Sequence, residues 1–172
     1  MQAIEDRAHR LLRVPQKDHA EGLQVISYAP GQHYGSHMDA YDAKAYKGDA
    51  KWKRKLKGGE RNRLLTMLWY LTSSSPDSDS GGGGGQTHFP NALGGVEQNL
   101  KQMSDCEDAD YGLKVTPVRG HALLFYSLRP DGALDFFSQH AGCAPKPGDN
   151  KWAVNQWVWN DVYPRPADVK PK

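Results

Sequence analysis

"LQVISYAPGQHYGSHMD" occupies residues 23–39. It joins an alternating run (23–28), a Pro-Gly turn at 30–31, and a pair of chemically reactive side chains, His37 and Asp39. The alternation predicts a β-strand that ends at the turn. In extended chain, residues two apart point to the same face. An imidazole and a carboxylate so placed can grip one object together, and a divalent metal is the obvious candidate. Pairs of this kind also occur on solvated loops, so a metal site requires a third ligand from elsewhere in the chain.

Working outward, Ile4, Ala8, Leu11 and Leu12 recur at helical spacing ahead of Pro15, which predicts a short amphipathic helix over 2–13. "RLLTMLWYLT" (63–72) is almost continuously apolar, as a strand buried on both faces would be, although periodicity alone does not separate it from a helix. "GLKVTPV" (112–118), "HALLFYSL" (121–128) and "KWAVNQWVW" (151–159) read as further strands, with "PVRG" as a hairpin connection between two of them. Many short strands punctuated by Gly and Pro favour a sandwich or barrel over an alternating βαβ sheet.

A chain of 172 residues is expected to form one domain over 1–172 with a real core. Its formal net charge of +2 gives no argument for a nucleic-acid or membrane partner. No apolar run reaches the roughly 18 residues of a membrane span, and "MQAIEDRAHRLLRVP" lacks the apolar stretch of a signal peptide. Cys106 and Cys143 permit one disulfide or two free thiols. Two segments interrupt the strand pattern. Residues 44–63 carry nine Lys/Arg against Asp49 and Glu60, which reads as a solvated basic loop or as a rim attracting an acidic partner. "SSSPDSDSGGGGG" (73–85) lacks the Gly-Lys-Ser/Thr of a phosphate-binding loop, so it reads as a flexible surface insertion.

For a third ligand, His9, His19, His33, His88 and His121 read as structural or exposed, whereas His140 follows "LDFFSQ" and precedes Lys151 by eleven residues. If the strands bearing His140 and Lys151 are neighbours, both side chains can enter one cavity. Two histidines and a carboxylate form the facial triad of non-haem Fe(II) oxygenases, leaving positions open for a chelating 2-oxo acid and dioxygen. A buried cation is then needed for the far carboxylate of the 2-oxo acid, and Lys151 is a candidate. The same three ligands also suit a catalytic zinc, and Lys151 can equally be an exposed lysine in a turn.

Taken in order, "LQVISYAPGQHYGSHMD", "RLLTMLWYL", "GGQTHFP", "GLKVTPVRGHALLFYSLRPDGALDFFSQHAGC" and "NKWAVNQWVW" resemble the catalytic domain of prolyl 4-hydroxylases of the alga and plant type. The resemblance implies a mainly β fold, a double-stranded β-helix (jelly roll) with a flanking helix. It sets the start of the chain inside the family's first helix, so the fold is expected to be truncated at its N-terminus. It implies His37, Asp39 and His140 as iron ligands, and Lys151 on the C5 carboxylate of 2-oxoglutarate with help from Tyr28, Thr87 and Trp157. Tyr34 and Arg63 fall where the family contacts its peptide, and Cys106 and Cys143 where it has a bridged pair. Fe(II), 2-oxoglutarate, O2 and ascorbate are the implied cofactors and co-substrates.

The implied activity is hydroxylation of peptidyl-proline at C4, with a proline-rich peptide or protein as partner. Family habit points to the secretory pathway and the endoplasmic reticulum lumen. The oligomeric state is left open. On the residues alone, Tyr28 and Tyr34 are equally core or rim aromatics, Trp157 equally core, and Arg63 equally the partner of a surface acid. The alternatives are a 2-oxoglutarate oxygenase with another substrate and a degenerate peptide-binding module. The chain departs from the family pattern at Gln86, commonly Glu, at Trp159, often His, and in the 73–85 insertion.

Overall fold

The computed structural model describes residues 2–14, 17–74, 84–92, 106 and 111–163. Helix α1 (Gln2–Leu12) covers the predicted helix and buries Ala8. The strands are β1 (Gln24–Tyr28), β2 (Tyr34–His37), β3 (Arg63–Tyr70), β4 (Thr87–Phe89), β5 (Leu113–Val115), β6 (Ala122–Tyr126), β7 (His140–Gly142) and β8 (Lys151–Trp159). A second helix, α2 (Ala50–Lys55), lies between β2 and β3. No helix among the described residues is long and apolar enough to cross a membrane.

The strands form two antiparallel four-stranded sheets, β1-β8-β3-β6 and β2-β7-β4-β5. Side chains from the two sheets meet between them. Phe125 of β6 lies edge-on to His140 of β7 at 4.8 Å between ring centres, and the Tyr70 and Thr87 hydroxyls hydrogen-bond at 2.8 Å. This is the jelly roll with a flanking helix that the sequence led us to expect. "RLLTMLWYLT" is indeed a strand buried on both faces, and it reads that way because β3 is hydrogen-bonded to β8 on one side and β6 on the other.

Two sequence expectations are corrected. "PVRG" closes no hairpin: β5 pairs with β4 in one sheet and β6 with β3 in the other, so the connection crosses between sheets. A local Pro/Gly signal marks a change of direction and carries no information about which partner strand follows. His140 and Lys151 are likewise not on neighbouring strands, because β7 and β8 belong to opposite sheets and look at one another across the interior. β5 is also shorter than 112–118. Gly112 at φ 75° begins it with a left-handed turn that no side chain could fill, since a Cβ would lie 2.4 Å from the Phe89 carbonyl. Pro117 lacks the N–H needed to extend the ladder.

Most of the 73–85 insertion (75–83) lies outside the described residues, but its ends are tied together. The Ser74 hydroxyl donates to the Gly84 carbonyl at 2.6 Å, and the Gly85 N–H donates to the Ala144 carbonyl at 2.8 Å. Gly84 and Gly85 both hold positive φ, 73° and 71°. The last two glycines of the run are therefore demanded by the backbone path into β4.

Truncating Leu65, 2% exposed on β3, should destabilise the protein by about 2–5 kcal/mol. Leu124→Ala on the neighbouring strand removes the same atoms from a 40% exposed position and should cost about 1 kcal/mol or less. Urea unfolding midpoints of the two variants check this, and equal losses would contradict the burial pattern.

Candidate active site

Strand pairing builds the first part of the site. β2 runs antiparallel to β7 with His37 directly opposite His140, and the two rings lie 4.4 Å apart. Asp39 sits just past the end of β2, so the two-residue spacing works through a strand and the turn that follows it. One donor atom from each of His37, Asp39 and His140 lies within 4.8 Å of the others. His37 Nε2 is 3.6 Å from Asp39 Oδ1, and His140 Nε2 is 3.8 Å from Asp39 Oδ2.

Each imidazole is oriented by its other nitrogen. His37 Nδ1 lies 2.8 Å from the Gly35 carbonyl and His140 Nδ1 lies 2.9 Å from the Ser138 carbonyl. A carbonyl only accepts, so both Nδ1 atoms carry the proton and both Nε2 lone pairs face Asp39. This is the support that metal-binding histidines require. Thr66, from the opposite sheet, donates its hydroxyl to Asp39 Oδ2. Burial by itself would raise the Asp39 carboxyl, but the His37 contact, His140 and Thr66 outweigh it and hold the group well below the usual carboxylate range. Burial lowers His140, which keeps it neutral as a metal ligand must be.

The second part is a cation. Lys151 opens β8 opposite Tyr28 and is 3% exposed. Among the described residues no carboxylate lies within ion-pair distance of it. Its ammonium has the Gln86 carbonyl at 3.4 Å and the rings of Tyr28 and Tyr70 at 5.6 and 6.0 Å. Burial pushes it down to about 8. An unpaired buried charge is costly, and a carboxylate arriving from outside would remove that cost. Lys151 shares one cavity of about 540 Å³ with Tyr28, Thr87, Trp157 and the His37–Asp39–His140 group. The Trp157 indole N–H is buried with no partner, a second orphaned donor among these residues. The donor set fits a metal ion at one end and a dicarboxylate at the other.

Tyr34 stands at the mouth, 54% exposed and 4.1 Å from the His37 ring. Arg63 reaches the same side through a β-bulge. The β3–β8 register slips by one residue between Arg63 and Leu65, which turns Arg63 to the face that Thr66 also occupies. Its guanidinium stacks on Trp157 at 3.8 Å, donates to the Asp39 carbonyl at 3.3 Å and holds Glu21 with two hydrogen bonds of 2.6 and 3.0 Å. The acid that partners Arg63 is thus a largely buried residue standing behind the cavity wall. Trp159 is buried and donates its indole N–H to the same carboxylate at 2.8 Å.

Glu21, Thr66 and Tyr70 were not singled out in the sequence. The available signal was Thr66 and Tyr70 sharing one parity inside an apolar run. Cys106 and Cys143 are joined in a disulfide with Cα atoms 5.5 Å apart, immediately after β7.

A family model described as the 2OG-Fe(II) oxygenase superfamily matches residues 23–159. The chain belongs to that superfamily. Fe(II), 2-oxoglutarate and O2 are the cofactor and co-substrates that membership implies. Among Arabidopsis thaliana proteins, the chain is 32% identical to probable prolyl 4-hydroxylase 4 over 166 residues, covering 94% of this chain and 49% of that protein. It is 38% identical to probable prolyl 4-hydroxylase 8 over 165 residues, covering 95% and 50%. The chain thus spans about half the length of the curated relatives it matches. Among solved structures, it is similar to the 2OG complex of a viral collagen prolyl hydroxylase from Paramecium Bursaria Chlorella virus-1, with a TM-score of 0.60 and 27% identity. That match covers 91% of this chain and 70% of the other.

The unpaired Lys151 gives a pH dependence of known sign. Its folded value of about 8 lies below the ordinary 10.5, so between those values the unfolded chain binds more protons and stability rises with pH. Without 2-oxoglutarate, the wild type should gain about 2 kcal/mol between about pH 7.5 and about pH 9.5, at roughly 1.36 kcal/mol per unit. Lys151→Met should lack this rise. Parallel pH curves from urea unfolding of the two proteins would show that the cation is compensated in the apo state.

Proposed function

We propose that this oxygenase hydroxylates peptidyl-proline at C4, coupled to oxidative decarboxylation of 2-oxoglutarate to succinate and CO2. One atom of dioxygen enters succinate and the other enters the proline hydroxyl, which balances the reaction without a further reductant. The observation that carries the reading is the buried, unpaired Lys151 in the same cavity as His37, Asp39 and His140. A metal-binding group and an uncompensated cation at two ends of one cavity suit a co-substrate that chelates at one end and carries a carboxylate at the other.

In this reading His37, Asp39 and His140 hold Fe(II), and the bound metal would supply activation of dioxygen. The protein's part is orientation and exclusion of water. The Gly35 and Ser138 carbonyls keep each Nε2 unprotonated and aimed. Thr66 fixes the carboxylate, and Asp39 stays ionised through the whole working range of pH. Lys151 takes the C5 carboxylate by a charge-assisted hydrogen bond, strengthened by burial. Thr87, Tyr28 and the free indole N–H of Trp157 complete its surroundings. Tyr34 and Arg63, at the mouth and the wall, meet the peptide.

The prolyl hydroxylase relatives support proline as the substrate residue, and a proline-rich, extended peptide suits a mouth lined by aromatic rings. The departure at Trp159 leaves this reading intact, because that residue is buried and acts on Glu21. We further propose that residues 1–172 form a single oxygenase domain and that ascorbate restores iron oxidised in unproductive turnovers. A location in the secretory pathway, in the endoplasmic reticulum lumen, agrees with the Cys106–Cys143 disulfide.

The direct test supplies Fe(II) anaerobically, then air, 2-oxoglutarate and a proline-rich peptide. Succinate together with a one-oxygen mass gain on proline is expected; succinate without the mass gain would remove proline as the substrate. Asp39→Ala should abolish both products, and retained decarboxylation in that variant would sink the assignment of the ligands. Lys151→Ala should raise the KM for 2-oxoglutarate by about 30- to 150-fold, the equivalent of roughly 2–3 kcal/mol. An unchanged KM would move the C5 carboxylate elsewhere.

A further inference from the structure

The segment between Asp39 and β3 supplies one side of the cavity, through Tyr41, Asp42, Ala45 and Tyr46. Behind them the rings form a continuous stack. Tyr46 lies on Trp52 at 4.3 Å and 22°, Tyr41 packs on Trp52 at 4.8 Å, and Trp159 lies beneath Tyr41 at 6.0 Å. Helix α2 buries none of its own residues, so this stack is what seats it.

The Lys55 ammonium lies over these rings, 4.5 Å from the centre of Trp52, 4.6 Å from Tyr41 and 5.5 Å from Trp159, with the Tyr41 hydroxyl at 3.3 Å. It is one side chain away from the cavity, across Tyr41. Among the described residues no carboxylate lies within ion-pair distance of it. The acid whose field reaches it, Glu21, is held twice by Arg63 and once by Trp159. The rim's own acids serve the backbone: Asp42 accepts from the Lys44 N–H, and Asp49 caps α2 by accepting from the Lys51 and Trp52 N–H groups. Lys44, Lys47, Lys51 and Lys53 are exposed on the same segment and make no ion pair among the described residues. Cation–π packing explains how Lys55 seats the helix. It does not neutralise a cation set beside a cavity already holding Arg63.

We propose that residues 41–56 form a specificity subsite for a carboxylate side chain flanking the target proline, with Lys55 as the pairing cation. This rests on the reading of the enzyme as a peptide hydroxylase and adds to it a preference for acidic neighbours. The Tyr46–Trp52 stack is the platform for the extended peptide, and the surrounding lysines attract it from solution. Two cations thus have no ion-pairing acid among the described residues, Lys151 inside the cavity for the co-substrate and Lys55 behind Tyr41 for the peptide.

The test uses three peptides that differ only in Glu, Gln or Lys on either side of a single proline. Binding to the full chain is read by fluorescence anisotropy, without turnover, and hydroxylation is read separately. The wild type should bind the Glu peptide about tenfold tighter at low salt, and the difference should shrink as salt rises. Lys55→Met, which keeps an unbranched stem on the rings, should bring the ratio close to one. Lys55→Glu should favour a Lys-flanked peptide instead. Equal binding of the Glu and Gln peptides by the wild type, or a ratio that survives in both variants, overturns the subsite. Charge-dependent binding with no hydroxylation keeps the subsite and removes the proline reading. Hydroxylation with no charge preference does the reverse.

Discussion

Antiparallel pairing of β2 with β7 sets His37 opposite His140, and the reactive part of the structure depends on that register. The strands are only four and three residues long. Their own ladder is therefore weak, and the register is held from outside. The His140 ring is boxed by Phe89 at 5.5 Å and Phe125 at 4.8 Å, and Asp39 is caught by Thr66 from the facing sheet. A slip of one residue would turn His140 to the other face. The His37–Asp39–His140 group is thus a closure between the two sheets as much as a site within one of them.

The long central strand does the complementary work. Every second residue of β8 from Lys151 to Trp157 faces the interior, matched across the sheet by Tyr28 on β1 and by Thr66 and Tyr70 on β3. One regular ladder therefore turns a cation, an orphaned indole donor and three hydroxyls to the same interior face. The one irregularity in it, the bulge beside Arg63, brings a second cation round to the wall of that space, where Glu21 neutralises it. The contrast with Lys151 is informative: one cation is matched by a protein acid, and the other has none within ion-pair distance among the described residues.

Much of this was legible in the chain. The residues of β1, β3, β6 and β8 announce themselves by alternation or by continuous apolarity, because those strands are long enough to show a period. His37, Asp39, His140 and Lys151 were singled out as a set by the family resemblance, and the structure brings all four to one cavity. β2, β4 and β7 were not legible as strands, since three or four residues cannot establish a period. Glu21 gave no signal at all, because its importance lies in Arg63 and Trp159, both over forty positions away.

Residue chemistry by itself determined what kind of site this chain can build: two imidazoles and a carboxylate for a metal, and a lysine for an anion. It also determined that the chain would be mostly β, since side-chain period is a local property. Tertiary structure alone decided that β7 and β8 face each other from opposite sheets, that "PVRG" crosses between sheets, and that Arg63 meets an acid while Lys151 meets none among the described residues. Those outcomes depend on which strands pair over long separations and on burial, which changes the energy of a charge. Neither quantity is written in any short stretch of sequence.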